Sequence, residues 1–206
     1  MVSSSQRVSV VLFDGFELLD VFGPLELLSR LPQRFPVSLV GPASGPVRSG
    51  QGTQVVADLG YRQAPSPDIV MVPGGPGSRP LAEDADFLSW LARWAQPASL
   101  VTSVCTGSAL LAAAGLLEGY RATSNKRAFA WATGHGHDVH WVPKARWVQD
   151  RDRWTSSGVA AGMDMTAALI ASLAGPEASR TAAREIELDV HPDPDWDPFA
   201  EHYGLV

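Results

Sequence analysis

A lone cysteine, an acid set among apolar residues and a diglycine turn are the features of this chain whose types and spacing could do chemistry. Cys105 is the only cysteine. It lies in the segment Ser99–Ala112 (SLVTSVCTGSALLA), which reads as a short apolar strand, a sharp turn at Cys105-Thr106-Gly107 and an Ala/Leu-rich helix. A reactive side chain at a strand-to-helix turn is a nucleophile elbow: the turn lifts the side chain out of the sheet into a crevice. The following helix aims its N-terminal N–H groups at the sulfur, so the elbow is expected to favour thiolate, the nucleophilic form.

A cysteine that attacks a polar multiple bond needs a proton handler, donors for the developing charge and limited water. The Thr106 N–H follows the nucleophile, and Gly74-Gly75 offers further N–H groups with no side chain in the way. Both are expected to form an oxyanion-type hole, although a diglycine is equally what a tight positive-φ turn requires. For the proton, a histidine is the usual partner, yet none of the five histidines (His135, His137, His140, His191, His202) has a context that marks it as a base. His135-Gly136-His137 lacks further ligands at usual metal-site spacing, so no metal is expected. Asp20 lies instead among Leu18, Leu19, Val21 and Phe22, with Glu17 one helical turn earlier. An acid in apolar surroundings has a raised pKa and can donate a proton near neutrality. Capping or a solvated turn is the structural alternative for Asp20, and capping or dipole complementation is the stronger reading for Asp164.

These residues need a scaffold, and the patterning supplies one. Arg7–Phe13 (RVSVVLF), Val37–Val40 and Asp68–Val72 read as buried strands. Phe16–Leu31 carries apolar residues at helical spacing but is interrupted by Gly23-Pro24, so the helix is expected to start properly with Pro24 in its first turn. Pro42–Gly52 reads as loop and Gln54–Asp58 as an edge strand or hairpin piece. Phe87–Ala95, Met163–Leu173 and Pro176–Leu188 are expected helices, and Ala122–Ser124 a short strand. Val139–Val142 and Trp147–Gln149 read as a hairpin or neighbouring strands, and the tail from His191 as an extended segment. Strands alternating with helices predict an α/β fold: a mostly parallel sheet covered on both faces, with sites at the carboxyl ends of the strands. One domain over residues 1–206 is expected, since no repeat or long linker divides the chain.

Composition narrows the function classes. At 45% hydrophobic and 18% charged residues the chain has the make-up of a globular protein rather than a disordered one. Its net charge of −6 and pI of about 5.3 argue against nucleic acid as partner, which needs a basic face. No apolar run reaches the roughly 18 residues of a membrane span. Met1–Gln6 is polar and short, so no leader is expected. A single cysteine fits a reducing, cytoplasmic setting.

Leu19–Pro24 (LDVFGP), Val72–Gly75 (VPGG) and Thr102–Ser108 (TSVCTGS) together resemble the DJ-1/ThiJ/PfpI superfamily. Ala113–Gly119 with Arg121–Thr123, and Trp154–Asp164 (WTSSGVAAGMD), extend the likeness to about residues 7–190. Within the superfamily the pattern most resembles the isonitrile hydratases. The resemblance implies a flavodoxin-like α/β sandwich and a homodimer. It implies Cys105 as a nucleophile on strained backbone, Asp20 as the acidic partner and Thr106 beside both. The implied reaction adds the cysteine to the terminal carbon of an isonitrile, with Asp20 as general acid/base. The resulting thioimidate is hydrolysed to an N-substituted formamide without metal or organic cofactor. Gly74, Gly75, Ser157 and Val159 are the expected oxyanion and substrate-binding residues.

The sequence also departs from its relatives. Protease-like members carry histidine directly after the nucleophile, where Thr106 stands. Some hydratase-like sequences carry histidine just past the Arg-Ala-Thr segment, where Asn125, Lys126 and Arg127 alter the pocket rim. Competing readings are a glyoxalase or deglycase acting on 2-oxoaldehydes, which usually has Glu where Asp20 stands, and a redox or ligand sensor using Cys105. A regulator's ligand domain is discounted, since it is expected to carry a basic helix-turn-helix.

Overall fold

A run of apolar residues too short for a helix opens the core. In the computed structural model, which describes residues 5–206, strand β1 (Val8–Val11) is buried on both faces. Met1–Ser4, part of the segment in which no leader is expected, lie outside the described residues. Helix α1 (Leu18–Leu28) follows, then β2 (Val37–Gly41), the hairpin β3 (Gly45–Arg48) and β4 (Gln54–Ala57), and the short β5 (Leu59–Gly60). Next come β6 (Ile69–Val72), α2 (Ser78–Leu81), α3 (Ala85–Ala95), β7 (Leu100–Ser103) and α4 (Gly107–Ala113). The remainder is β8 (Arg121–Ala122), α5 (Phe129–Ala132), β9 (His140–Trp141), β10 (Trp147–Asp150), β11 (Arg153–Ser156), α6 (Ala161–Ala174), α7 (Pro176–Glu185) and α8 (Pro198–His202).

The central sheet has seven strands in the order β10-β11-β7-β6-β1-β2-β5, and only β10 runs antiparallel to its neighbour. Helices α1, α6 and α7 pack on one another as one layer, while α2 and α3 both pack on α4 as the other. This is the flavodoxin-like α/β sandwich. Strand addition reverses between β1 and β6, with β2 on one side and β7 on the other. Such a reversal opens a crevice beyond the carboxyl ends of the strands.

Local physics corrects several expectations. Helix α1 starts at Leu18, and Pro24 lies inside it. The proline ring removes one helical hydrogen bond. The helix continues nevertheless because its apolar side, including the fully buried Val21, Leu27 and Leu28, packs into the core; such side chains contribute about 1.5–3 kcal/mol each. Gly23 is there for close approach: a Cβ would come within 2.8 Å of the Met163 side chain on α6. Gly45–Arg48, expected as loop, pairs antiparallel with Gln54–Ala57. The anticipated pairing of Val139–Val142 with Trp147–Gln149 does not occur. His140–Trp141 pairs parallel with β8, and Trp147–Asp150 folds back on Arg153–Ser156. Helix α3 starts two residues before Phe87, because the Asp84 carboxylate caps the N–H groups of Asp86 and Phe87, each at 3.0 Å. Helix α7 stops at Glu185, short of Leu188. The tail is not wholly extended: Asp197 caps the Phe199 N–H at 3.0 Å and starts α8 at Pro198.

Candidate active site

Cys105 sits at the break between β7 and α4, with φ at +58°. Positive φ is costly for a residue with a Cβ, by about 1–3 kcal/mol, and persists only where surroundings over-determine it. Here they do. The Cys105 N–H donates to Ser157 O at 2.9 Å. Its carbonyl accepts from the hydroxyls of Ser108 and Ser124, each at 3.1 Å. Three segments therefore clamp one strained residue from both sides.

The diglycine turn, at the end of β6, closes against this elbow. A Cβ on Gly74 would collide with Thr106 Oγ1 and Thr106 N, and would lie 3.0 Å from Cys105 Cβ. Gly75 has φ of +123°, which only glycine adopts freely. The two N–H groups expected to line an oxyanion hole are already engaged. Gly74 N–H donates to Asp20 Oδ2 at 2.8 Å, and Gly75 N–H donates to Thr106 Oγ1 at 3.0 Å. The turn thus positions the acid and the threonine rather than presenting free donors.

Asp20 is fully buried in the first turn of α1, and its Oδ1 has no partner of hydrogen-bond geometry. Burial pushes its pKa from 3.8 up to about 7, against the Gly74 N–H, which lowers it, with Glu17 raising it and the Cys105 thiol lowering it. A carboxyl poised there can give and take a proton at neutral pH. Glu17 stays at the edge of the site, with Oε1 accepting from Gln51 Nε2 at 2.6 Å.

The thiol behaves differently from the expectation of a thiolate. Burial drives the Cys105 pKa well above its usual value, and the Asp20 charge adds to this. The Thr106 N–H and hydroxyl pull it down but are outweighed. Desolvation of a buried anion wins over two donors and a helix of one to two turns. Sequence reasoning missed Ser78, whose hydroxyl donates to Gly75 O at 2.7 Å and lies 3.0 Å from Thr106 Oγ1. Its only signal was its place at the end of the Gly-rich turn.

The carboxyl ends of β1, β6 and β7 therefore bring Asp20, Gly74, Gly75, Thr106 and Cys105 together. A profile of the DJ-1/PfpI family matches residues 6–172. The chain belongs to the DJ-1/PfpI family. It is 36% identical to the isonitrile hydratase of Pseudomonas putida over 93% of this chain and 81% of that protein. It is 32% identical to the HTH-type transcriptional regulator GbdR of Pseudomonas aeruginosa over 84% of this chain, but that match spans only 48% of the regulator. The crystal structure of a ThiJ/PfpI family protein from Pseudomonas syringae superposes with a TM-score of 0.79 at 31% identity, covering 94% of this chain and 78% of that one.

In this DJ-1/PfpI chain the other expected site residues lie around the elbow. Ser157 accepts the Cys105 N–H through its carbonyl, and its hydroxyl donates to the buried Asp197 Oδ2. Ser157 and Val159 line a cavity of about 290 Å³, which also takes in Asn125, Phe199 and Tyr203. Asp164 caps nothing: within the first turn of α6 it is a buried partner of Arg146, whose Nε and Nη2 donate to Oδ2 at 2.8 and 2.5 Å. His137 and Asp138 give their N–H groups to Glu118, and His135 packs edge-on to Trp131.

Proposed function

We propose that this protein is a cysteine-dependent hydratase that converts isonitriles to N-substituted formamides. The observation that carries the reading is a fully buried carboxyl, poised at about 7, acting on a cysteine held in a positive-φ elbow. Likeness to the Pseudomonas putida isonitrile hydratase over nearly the whole chain supports it. An isonitrile is neutral and linear at its reacting end, so a dry, narrow site suits it.

The chemistry follows from the proton inventory. Ionised Asp20 takes the Cys105 thiol proton as sulfur attacks the terminal carbon of R–N≡C. A C–S bond forms, one C–N π bond breaks, and Asp20 returns the proton to that carbon. The product of this step is the thioimidate R–N=CH–S–Cys105. Water then adds to the same carbon, with Asp20 relaying its proton to nitrogen. The C–S bond breaks, the sulfur recovers a proton, and R–NH–CHO leaves. Thr106 N–H steadies the charge on sulfur, Gly74 and Gly75 hold Asp20 and Thr106 in place, and Ser157 and Val159 border the substrate. Every proton moves between Asp20, Cys105, water and substrate, so the cycle needs no cofactor.

Steady-state hydration of an aryl isonitrile, followed as formamide, tests this. Turnover by wild type and its loss in Cys105→Ala and Asp20→Asn supports the reading. Consumption of methylglyoxal with no formamide assigns the site to 2-oxoaldehydes instead. The similarity to part of GbdR favours one second reading, ligand sensing at Cys105; ligand binding without turnover of either substrate is its signature.

The protein works as a homodimer in a cytoplasmic setting. Leu19 and Phe22, each 41% exposed, flank Asp20 on α1 and leave apolar surface for a second copy. Light scattering is expected to give twice the 22.0 kDa chain mass.

A further inference from the structure

The cavity beside the elbow has one charged group with nothing to hold. Its lining residues Ser157 and Val159 neighbour Cys105, Ser157 by a backbone hydrogen bond and Val159 by packing against the apolar cluster that contains the cysteine. Ser157 takes the Cys105 N–H, and Ser124, next to Asn125, donates to the Cys105 carbonyl. Its walls are Val159 and Ala160 ahead of α6, and Phe199 and Tyr203 from α8. At about 290 Å³ it holds a group about the size of a single ring.

The charges around this cavity pair off almost completely. Arg146 is committed to Asp164 by two hydrogen bonds. Asp197 accepts from the Ser157 hydroxyl and the Phe199 N–H. Lys126 is buried, with Nζ donating to Thr123 Oγ1 at 2.7 Å and Ala145 O at 2.5 Å. Burial lowers it to about 8, with Asp197 opposing the fall. It serves to anchor the loop rather than to reach a ligand. Asn125 Oδ1 takes the Ala128 N–H at 3.0 Å, which leaves its amide NH2 for other use. Arg127 lines the same cavity from an exposed position and, among the described residues, makes no ion pair or hydrogen bond through its side chain.

We infer that this cavity is the subsite for an isonitrile whose apolar R group ends in a carboxylate, with Arg127 as the cation that receives it. The inference rests on the hydratase reading and names its substrate class. The isonitrile carbon sits at Cys105, the apolar body fills the space between Val159, Phe199 and Tyr203, and the anion meets a guanidinium. Arginine suits a carboxylate because its fork of donors matches both oxygens.

The test compares 4-isocyanobenzoate with its methyl ester as substrates of the full chain. Wild type is expected to favour the carboxylate by roughly tenfold in kcat/KM, the order of one charge-assisted hydrogen bond at a partly exposed rim. That ratio falls to about one in Arg127→Ala, inverts in Arg127→Glu and is partly kept in Arg127→Lys. A wild-type ratio near one, or a tenfold ratio that survives Arg127→Ala, overturns the inference. Binding of the corresponding formamides by calorimetry separates this from failure of the hydratase reading. Should neither isonitrile turn over, a preference for 4-formamidobenzoate over its methyl ester that Arg127→Ala abolishes still supports the anion subsite. Equal or absent binding overturns it.

Discussion

Asp20 and Cys105 share one buried space, and the ionised carboxylate of the first drives the thiol of the second up. The thiol in return draws the carboxyl down, though less than burial pushes it up. The two groups influence each other's proton, and under the proposed mechanism the pair is reactive when it holds a single proton. In that mechanism the proton resides on sulfur before attack and on Asp20 during it.

Activity is therefore expected to follow the ionisation of Asp20. With its pKa at about 7, kcat/KM is expected to fall as pH drops below 7 and to level off above it. Asp20→Asn is expected to lose this acid limb together with about 10²–10⁴-fold in rate, the usual worth of a positioned acid/base. A pH–rate profile of both proteins checks this, and an unshifted limb in the variant counts against it.

The same carboxyl makes stability depend on pH. Its pKa is raised in the fold, from 3.8 to about 7, so its contribution is fully present below 3.8 and is lost as pH rises through 7. Ionising it in place costs the fold about 4 kcal/mol. Replacing Asp20 with Asn removes that cost, so the variant gains on wild type between pH 5 and pH 8. Urea unfolding at the two pH values measures the gain; a constant difference means that burial does not raise Asp20.

Cys105 is expected to alkylate slowly. With its thiol raised, iodoacetamide at pH 7.5 should label it more slowly than free cysteine. Faster labelling of wild type than of free cysteine means that the elbow favours thiolate after all.

Gly74 has room for no side chain. Gly74→Ala forces a Cβ against Thr106 and Cys105 and disturbs the amide that holds Asp20. A loss of about 1–3 kcal/mol is expected on denaturant unfolding, with more than tenfold lower turnover in the protein that still folds.

The parts of the site carried by single strand-to-turn transitions were legible in the chain. The Cys105 elbow, the Gly74-Gly75 turn and the acid after β1 each sit where an apolar run meets glycine or a polar residue, a local signal. What joins them was not legible, because it depends on which strands lie side by side. That the Gly74 N–H serves Asp20 follows from β1 and β6 being neighbours. The balance between helix N-terminus and desolvation at Cys105 likewise depends on burial, which patterning does not quantify. Two-residue strands such as β8 and β9 carry too little period to announce themselves, and the Arg146–Asp164 pair joins residues 18 apart with no motif. Pro24 misled because packing of α1 outweighs one lost hydrogen bond.

The most direct test of the account is to catch the covalent intermediate. Wild-type protein mixed with excess aryl isonitrile and quenched in acid within one turnover is examined by intact mass and peptide mapping. The account predicts a chain heavier by the mass of one isonitrile, on the peptide bearing Cys105, and no adduct in Cys105→Ala. Formamide produced with no adduct on Cys105, and at an equal rate by Cys105→Ala, would contradict it.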